Sequence, residues 1–205
     1  MVLLSLFATI LFVGLVVVDW LQFSSRRPDT GSYGCRIARV TATLDLPSID
    51  AVAARFDPNG VLALPNGLAR FVPQHRLIVL RPQQGLLPKR FRTAWPVKAA
   101  LRLEPDASGL RVTGAKLIPW SSAAITLLWF LLVGLGTLAF AILYLTDGGL
   151  ASLQGILMGL GILGIGLLVL AFGLVTVAFA YRLENTRLMQ AYQDLASALT
   201  GSVQP

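Results

Sequence analysis

The chain has 205 residues, of which 55% are hydrophobic and only 13% are charged, and its mean hydropathy is +0.71. Soluble domains carry close to a quarter charged residues, so this composition argues against a soluble protein and indicates an integral membrane protein. The formal net charge is +7, and the single cysteine and single histidine argue against a disulfide framework and a Cys- or His-rich metal site.

The first long apolar run extends from Met1 to Val18 and ends at Asp19. It has the length of about 18 residues that a membrane-spanning helix needs. A cleaved secretory signal is the alternative, but the run begins without a basic residue, exceeds the usual apolar centre of about 7–15 residues and lacks a small-residue cleavage motif before Ser24. Residues 1–23 are therefore predicted to be an uncleaved transmembrane helix with its N-terminus outside.

Residues 24–119 are predicted to fold in water, and their turn signals indicate a small β-rich domain. Asp57-Pro58-Asn59-Gly60 and Pro65-Asn66-Gly67 combine a fixed φ with residues that tolerate positive φ. We expect five or six antiparallel strands in a barrel or curled sheet, with one short helix over 48–56 whose N-cap is Ser48. The predicted strands are 36–44, 68–72, 76–81, 89–95, 97–104 and 110–117.

Basic residues are distributed unevenly along the chain. Fifteen of the 17 lysines and arginines lie between the first and second apolar runs, together with six of the ten acids. The connection between the second and third runs carries one acid, Asp147, and no base. With the N-terminus outside, every basic residue lies on the inner side, as the positive-inside tendency requires. We predict a multi-pass protein of a bacterial-type inner (cytoplasmic) membrane, with the domain and the C-terminus in the cytoplasm.

The basic residues of the domain predict a binding surface. Three interpretations stay open: a solvated face beside an anionic leaflet, where each base gains about 1 kcal/mol, a docking surface for an acidic protein, and a nucleic-acid surface. No nucleic-acid recognition motif is present. We predict other membrane-protein subunits and anionic phospholipid as partners, and no nucleic acid. The predicted surface consists of Arg26, Arg27, Arg76, Arg81, Lys89, Arg90 and Arg92.

Two further apolar runs, at about 123–145 and 150–180, predict a transmembrane helical hairpin over residues 120–181. The third run contains the spelling G-x-G-x-x-G at Gly159, Gly161 and Gly164. A dinucleotide site needs a strand before this motif and an amphipathic helix after it, whereas apolar residues flank it here on both sides. Glycines in apolar helices instead favour close helix packing. The predicted packing residues are Gly134, Gly136, Gly155, Gly159, Gly166 and Gly173.

Residues 182–205 are predicted to form a cytoplasmic amphipathic helix and tail. Leu188, Tyr192, Leu195 and Leu199 follow the spacing of one apolar helical seam. This seam can pack on the chain's own β domain, dock on a partner or lie on the membrane surface.

Few residues suggest catalysis. Cys35 and His75 could serve as a nucleophile and its base, but no motif orients them. Glu104 and Asp106 are better explained by a hairpin turn. The apolar runs carry almost no ionisable residue near their centres, which argues against a transporter or pump. We predict no catalytic, cofactor or metal site, and a structural lipid or neighbouring pigment stays open.

The sequence therefore predicts an integral membrane α + β protein, with three transmembrane helices and a small antiparallel cytoplasmic domain between the first two. The predicted function is that of a non-catalytic accessory, assembly or scaffolding subunit of a larger inner-membrane complex, such as a respiratory or photosynthetic one. The alternative is a membrane-surface module that binds or senses anionic lipid. A membrane-embedded enzyme that modifies lipids is the third hypothesis.

Overall fold

A computed structural model describes residues 2–25, 27, 30–44, 48–82, 93–106, 109–149 and 151–201. Contacts divide the chain into two compact units. The first unit consists of Met1–Ser122 and Arg182–Pro205, and the second of Ala123–Tyr181. The first unit contains a β-sheet with the helical segments around it, and the second is a helical hairpin.

Three helices among the described residues are long and apolar enough to cross a membrane. They are α1 (Val2–Ser24), α3 (Trp120–Thr146) and α4 (Leu153–Thr200). The three apolar runs of the sequence are thus helical, as predicted, and α4 continues beyond its apolar part. A short helix, α2 (Ile49–Ala53), begins after Ser48, whose side chain accepts a hydrogen bond from a backbone N–H in its first turn, also as predicted.

One six-stranded antiparallel sheet forms the centre of the first unit. Its strands are β1 (Cys35–Leu44), β2 (Val61–Leu64), β3 (Gly67–Val72), β4 (Leu77–Pro82), β5 (Lys98–Asp106) and β6 (Gly109–Ile118). The order is β1-β6-β5-β4-β3-β2, so β1 and β2 are the edges. This confirms the predicted antiparallel β-rich fold. Over the described residues the two edges do not pair, so the sheet is open and not a barrel.

Two features of the sheet differ from the prediction. Strand β2 falls outside the predicted strands, because its four residues lie between two strong turn signals and are too few for a clear alternation. Most of the predicted strand 89–95 lies outside the described residues. Its described part, Thr93–Trp95, is not a strand: the Thr93 hydroxyl accepts a hydrogen bond from the Trp95 N–H at 3.3 Å, a local contact that competes with strand pairing.

The register divides the side chains of the sheet into two faces, because directly opposed residues in antiparallel strands share a face. Ile78 pairs with Leu101, and Leu101 with Gly114, so these three residues lie on one face. We call it the tail face; it also contains Ala69, Phe71, Leu80, Ala99, Leu103 and Val112. We call the opposite one the open face; it contains Arg39, Arg70, Val79, Lys98, Ala100, Arg102, Ala115 and Leu117.

Residues 182–200 of α4, which we call the α4 tail, pack on the tail face. Leu188, Leu195 and Leu199 are only 1–2% exposed. A Cβ added to Gly67 of β3 would lie 2.8 Å from the Cβ of Ala191, so strand and helix approach each other closely at this point. Of the three alternatives for the predicted seam, the structure has the one in which it covers the chain's own sheet.

In the second unit, three side chains of α3 fill three glycine positions of α4. A Cβ on any of these glycines would meet an α3 side chain at or below normal contact distance. The glycines recur every seven residues, and their α3 partners run in the opposite direction, as an antiparallel hairpin requires. The three pairs are Gly173 with Trp129, Gly166 with Thr137 and Gly159 with Tyr144.

The α3 side of this contact therefore consists of large or branched side chains and not of glycines. A Cβ at Gly134 or at Gly136 would meet no atom within 4 Å, so neither residue takes part in the packing against α4. Gly155 lies against the hairpin connection, where a Cβ would collide with the carbonyl oxygen of Gly149. The Gly155 carbonyl also accepts a hydrogen bond from the Tyr144 hydroxyl at 2.8 Å.

Candidate functional site

The C-terminal end of α1 is bound by cations that project from the open face. The last carbonyls of a helix have no partner within the helix, and positive charge is favourable there because of the helix dipole. The Arg81 guanidinium donates hydrogen bonds to the carbonyl of Ser24 at 2.7 Å and to that of Ser25 at 2.5 Å. Arg81 is thus a cap of α1, in addition to being a residue of β4.

Lys98 of β5 is the second cation at this helix end and is only 2% exposed. Its Nζ donates to the carbonyl of Thr30 at 2.9 Å, lies 3.5 Å from the carbonyl oxygen of Phe23 and sits 4.4 Å from the centre of the Phe23 ring. Burial lowers the pKa of Lys98 to about 7, and the positive charge of Arg81 lowers it in the same direction.

The side chain of Asp19 connects α1 with two other segments, the residues just before β1 and the first turn of α3. Its carboxylate accepts hydrogen bonds from the Tyr33 hydroxyl at 2.6 Å, from the Ser121 hydroxyl at 2.6 Å and from the Ser121 N–H at 2.8 Å. Ser121 lies in the first turn of α3, where free N–H groups favour an anion. The hydrogen bond to Asp19, with burial and the negative charge, raises the pKa of Tyr33 to about 12.

Successive residues at the end of α1 contact successive strands of the sheet. Asp19 contacts residues beside the end of β6, Phe23 packs on β6 and β5, and Ser25 is bound from β4. The helical rise from Asp19 to Ser25 is about 9 Å, which matches the distance of about 10 Å from the first to the third of three neighbouring strands. The end of α1 therefore lies over the open face, where its successive contacts run from the end of β6 to β4.

Polar contacts hold the α4 tail on the other face. Glu184 is 6% exposed and accepts hydrogen bonds from the Thr93 hydroxyl at 2.9 Å and from Arg187 at 3.0 Å. Further along the tail, Lys116 of β6 donates to the side-chain oxygen of Asn185. Burial raises the pKa of the predicted seam residue Tyr192, which lies half-buried at the border of the contact.

The α4 tail crosses the sheet in the same sense as α1. Asn185 contacts β6, Ala191 contacts β3, and Asp194 accepts a hydrogen bond at 2.9 Å from the N–H of Asn66 in the β2–β3 turn. The helical rise from Asn185 to Asp194 and the spacing from β6 to β3 are both about 14 Å. In both helices the residues nearest the apolar sequence contact the β6 side, whereas β2 is the far edge.

A cationic recess lies on the open face next to the end of α1. Arg39, Ala115, Ala100, Val79 and Arg70 form one continuous row across five strands. Because the side chains of Ala100 and Ala115 are small, the surface is lowered at the centre of this row and forms a recess of about 470 Å³. Pockets that bind small ligands usually have volumes of about 300–1,000 Å³.

A β-bulge in β1 places two arginines at the rim of this recess. Arg36 pairs with Leu117 and Arg39 with Ala115, and the register shifts between them. Residues three positions apart lie on opposite faces of a regular strand, but the extra residue, Ile37, brings Arg36 and Arg39 to the same face. Both side chains are exposed.

The recess has the chemistry of an anion-binding site. Its charged rim consists of Arg36, Arg39, Arg102 and Glu104. Arg102 and Glu104 form an ion pair at 4.0 Å with both side chains largely exposed, and such a pair contributes little to stability. On the side of the recess that is farther from the Arg102–Glu104 ion pair, the charge is that of Arg36 and Arg39 of β1.

Sequence reasoning located only part of this arrangement. Of the predicted basic surface, Arg27 is exposed after α1, Arg76 is exposed in a left-handed conformation with φ of 48°, and Arg81 caps α1. Lys98 was not among the predicted residues: the alternation along β5 places it on the same face as Arg102 but does not show that it is buried. The predicted residues Arg26, Lys89, Arg90 and Arg92 lie outside the described part of the chain.

Cys35 and His75, which the sequence offered as a nucleophile and its base, lie on separate elements. Cys35 is a free, partly exposed thiol at the start of β1, and His75 is exposed in a short 3-10 helix between β3 and β4. Over the described residues, no group of three or more His, Cys, Asp or Glu side chains could hold a metal ion.

No protein-family model matches the chain, and no curated protein and no solved structure matches it. The function is therefore inferred from the helix caps, the two sheet faces and the recess.

Proposed function

We propose that the protein is a non-catalytic accessory or scaffolding subunit of a larger membrane complex, with its sheet domain fixed at the cytoplasmic surface of a bacterial-type inner membrane. The attachment of the sheet on both faces supports this proposal most strongly. Lys98 and Arg81 bind the end of α1 on one face, and Glu184 and Asp194 anchor the α4 tail on the other. A domain held in this way keeps one orientation and can present a constant surface to neighbouring subunits.

The exposed surfaces of the long helices support insertion into a bilayer. Large apolar side chains are widely exposed on all three, such as Leu3 at 82%, Leu132 at 66% and Phe172 at 72%. Water-soluble proteins rarely expose continuous apolar surfaces of this kind, whereas lipid tails solvate them. Arg27 and Arg182, which flank α1 and the apolar part of α4, favour the cytoplasmic side for both ends.

The proposed topology can be tested with the single native cysteine. In intact cells, a membrane-impermeant thiol reagent should not label Cys35. The matched variant Cys35→Ser/Asp147→Cys carries its thiol in the exposed α3–α4 connection and should be labelled. Labelling of Cys35 without labelling at position 147 would reverse the proposed orientation.

The proposed contact with another subunit involves two glycines of α3 that do not pack against α4. Gly134 and Gly136 have open space around them and lie on different sides of the helix, so a helix of a partner could approach α3 closely at either one. Other subunits should therefore remain bound when the full chain is extracted from its native membrane into lipid nanodiscs.

Mass measurement of these nanodiscs should give a stoichiometric complex for the wild-type chain. The variant Gly134→Leu/Gly136→Leu should lose the partner, whereas Gly161→Leu, which also has open space but lies on α4, should keep it. A wild-type chain that is always alone, or two variants that behave alike, would contradict the subunit proposal.

A further inference from the structure

We propose that the recess beside β1 binds the phosphodiester headgroup of an anionic phospholipid, such as phosphatidylglycerol, through Arg36 and Arg39. This inference rests on the proposed insertion of the helices into a membrane, but it does not depend on a partner subunit. It places the lipid site at residues that differ from the basic surface predicted from the sequence.

The first support is the position of β1. The end of α1 and the α4 tail both cross the sheet with the β6 side nearest their apolar parts, and β1 lies next to β6 at the outer edge. In addition, β6 leads through Pro119 directly into α3. The end of α1 and the α4 tail thus assign the same edge of the sheet to the bilayer. Neighbouring strands are about 4.8 Å apart, so β1 lies at the level of the headgroups and β2 about 24 Å farther out.

The second support is the pair of guanidinium groups. The bulge at Ile37 brings Arg36 and Arg39 to one face, about 7 Å apart along the strand, where both can reach a single phosphate. Arginine binds phosphate oxygens in a bidentate way, and such charge-assisted hydrogen bonds are among the stronger ones in proteins. Glu104 lies beside Arg102 at the other end of the recess, so an anion is favoured on the β1 side.

The third support is the apolar floor, which suits the glycerol and the first carbons of the acyl chains. Ala100, Ala115 and Leu117 line the recess and also pack against Phe23 at the end of α1. Ile37, the bulged residue, exposes 38% of its surface at the same edge. A lipid with its phosphate on the arginines therefore has apolar contacts that continue toward α1.

These features favour a lipid over an acidic polypeptide. An extended polypeptide would gain most from cations spread evenly across the sheet, but Arg70 and Arg81 on the far strands already interact with other groups of the chain. Arg36 and Arg39 are exposed on the strand nearest the bilayer.

The test uses the full chain in mixed micelles of phosphatidylcholine and phosphatidylglycerol, followed by native mass spectrometry of the retained lipids. The wild-type chain should retain phosphatidylglycerol in preference to phosphatidylcholine. The variant Arg36→Gln/Arg39→Gln should lower the affinity for phosphatidylglycerol at least about tenfold, since each basic residue at a membrane surface contributes an appreciable attraction. The matched variant Arg55→Gln/Arg76→Gln, whose residues are exposed outside the recess, has the same net charge and should bind as the wild type.

Equal retention of both lipids by the wild-type chain, or equal loss in both variants, would overturn the proposal. Unchanged thermal unfolding shows that the Arg36→Gln/Arg39→Gln variant is folded. Polyglutamate, added as a competitor, distinguishes the other class of partner: if it binds through these arginines while the two lipids are retained alike, the recess is a protein-docking site. Failure of this lipid test leaves the nanodisc test for a partner subunit unaffected, so the two proposals can fail separately.

Discussion

The two faces of the sheet are covered by helices in different ways. The tail face is closed by an apolar seam whose leucines are almost completely buried, and polar contacts occur at its margins. Over the described residues, the open face contacts the last turns of α1 and the segment that follows it, through the ring of Phe23 and two cations that bind carbonyl groups. The rest of that face carries exposed arginines. We infer that the tail face mainly stabilises the fold, whereas the open face positions α1 and remains accessible for binding.

The largest expected effect comes from truncating the seam. Leu195 is 1% exposed, and Leu195→Ala should lower the free energy of unfolding by about 3 kcal/mol, because it removes buried apolar contacts and leaves a cavity. Met189→Ala changes an apolar side chain of the same helix that is 40% exposed, and its effect should stay below about 0.5 kcal/mol. Denaturant titration in mild detergent, followed by tryptophan fluorescence, measures both values. Equal losses would show that the seam is not the main contact.

A smaller loss is expected when the anion at the base of the open face is removed. Asp19→Ala leaves the Ser121 N–H and the Tyr33 hydroxyl without their acceptor and should lower the free energy of unfolding by about 2 kcal/mol. The same titration serves as the measurement. Asp147→Ala, in the exposed α3–α4 connection, is the control and should have little effect. A neutral Asp19→Ala variant would mean that this carboxylate does not hold the segments together.

Lys98 predicts a dependence of stability on pH. Its pKa is about 7 in the folded chain and 10.5 in a model peptide, so between these values the unfolded chain binds more protons and stability rises with pH. The free energy of unfolding should rise by about 1 kcal/mol from pH 7 to pH 8. In Lys98→Met this rise should be absent. The pKa of Tyr33, raised to about 12, acts in the opposite direction, but only above pH 10. A rise of the same size in Lys98→Met would assign it to another group.

The smallest effect on stability is expected from the exposed arginines. Arg36→Gln/Arg39→Gln should change the free energy of unfolding by less than about 0.5 kcal/mol, because exposed side chains away from caps and cores contribute little. A loss of several kcal/mol would show that these arginines are structural and not part of a binding surface.

Much of the fold could be predicted because its signals are local or periodic. The apolar runs define three helices by length alone, Ser48 is a recognisable N-cap, and the spacing of Leu188, Leu195 and Leu199 identifies the buried side of the α4 tail. The spacing could not show which surface covers that side, since apolar matching is not directional.

The recess and the helix caps depend on long-range register, which leaves little trace in the sequence. The bulge at Ile37 is a single extra residue without a motif, yet it decides that Arg36 and Arg39 share a face. Lys98 is buried because α1 ends on it, and a lysine in an alternating strand is ordinarily read as exposed. Gly134 shows the same limit, since a glycine in an apolar helix predicts close packing but does not identify the partner.

We infer from the contacts of α1 and the α4 tail that β1 is the edge of the sheet next to the bilayer and β2 the edge away from it. It is tested most directly by fluorescent labels on single cysteines, Ile37→Cys in β1 and Ala63→Cys in β2, each in a Cys35→Ser background and in liposomes with spin-labelled headgroups. We expect strong quenching at position 37 and almost none at position 63, since five strand spacings of about 4.8 Å separate the two edges. Equal quenching at both positions, or stronger quenching at position 63, would contradict it.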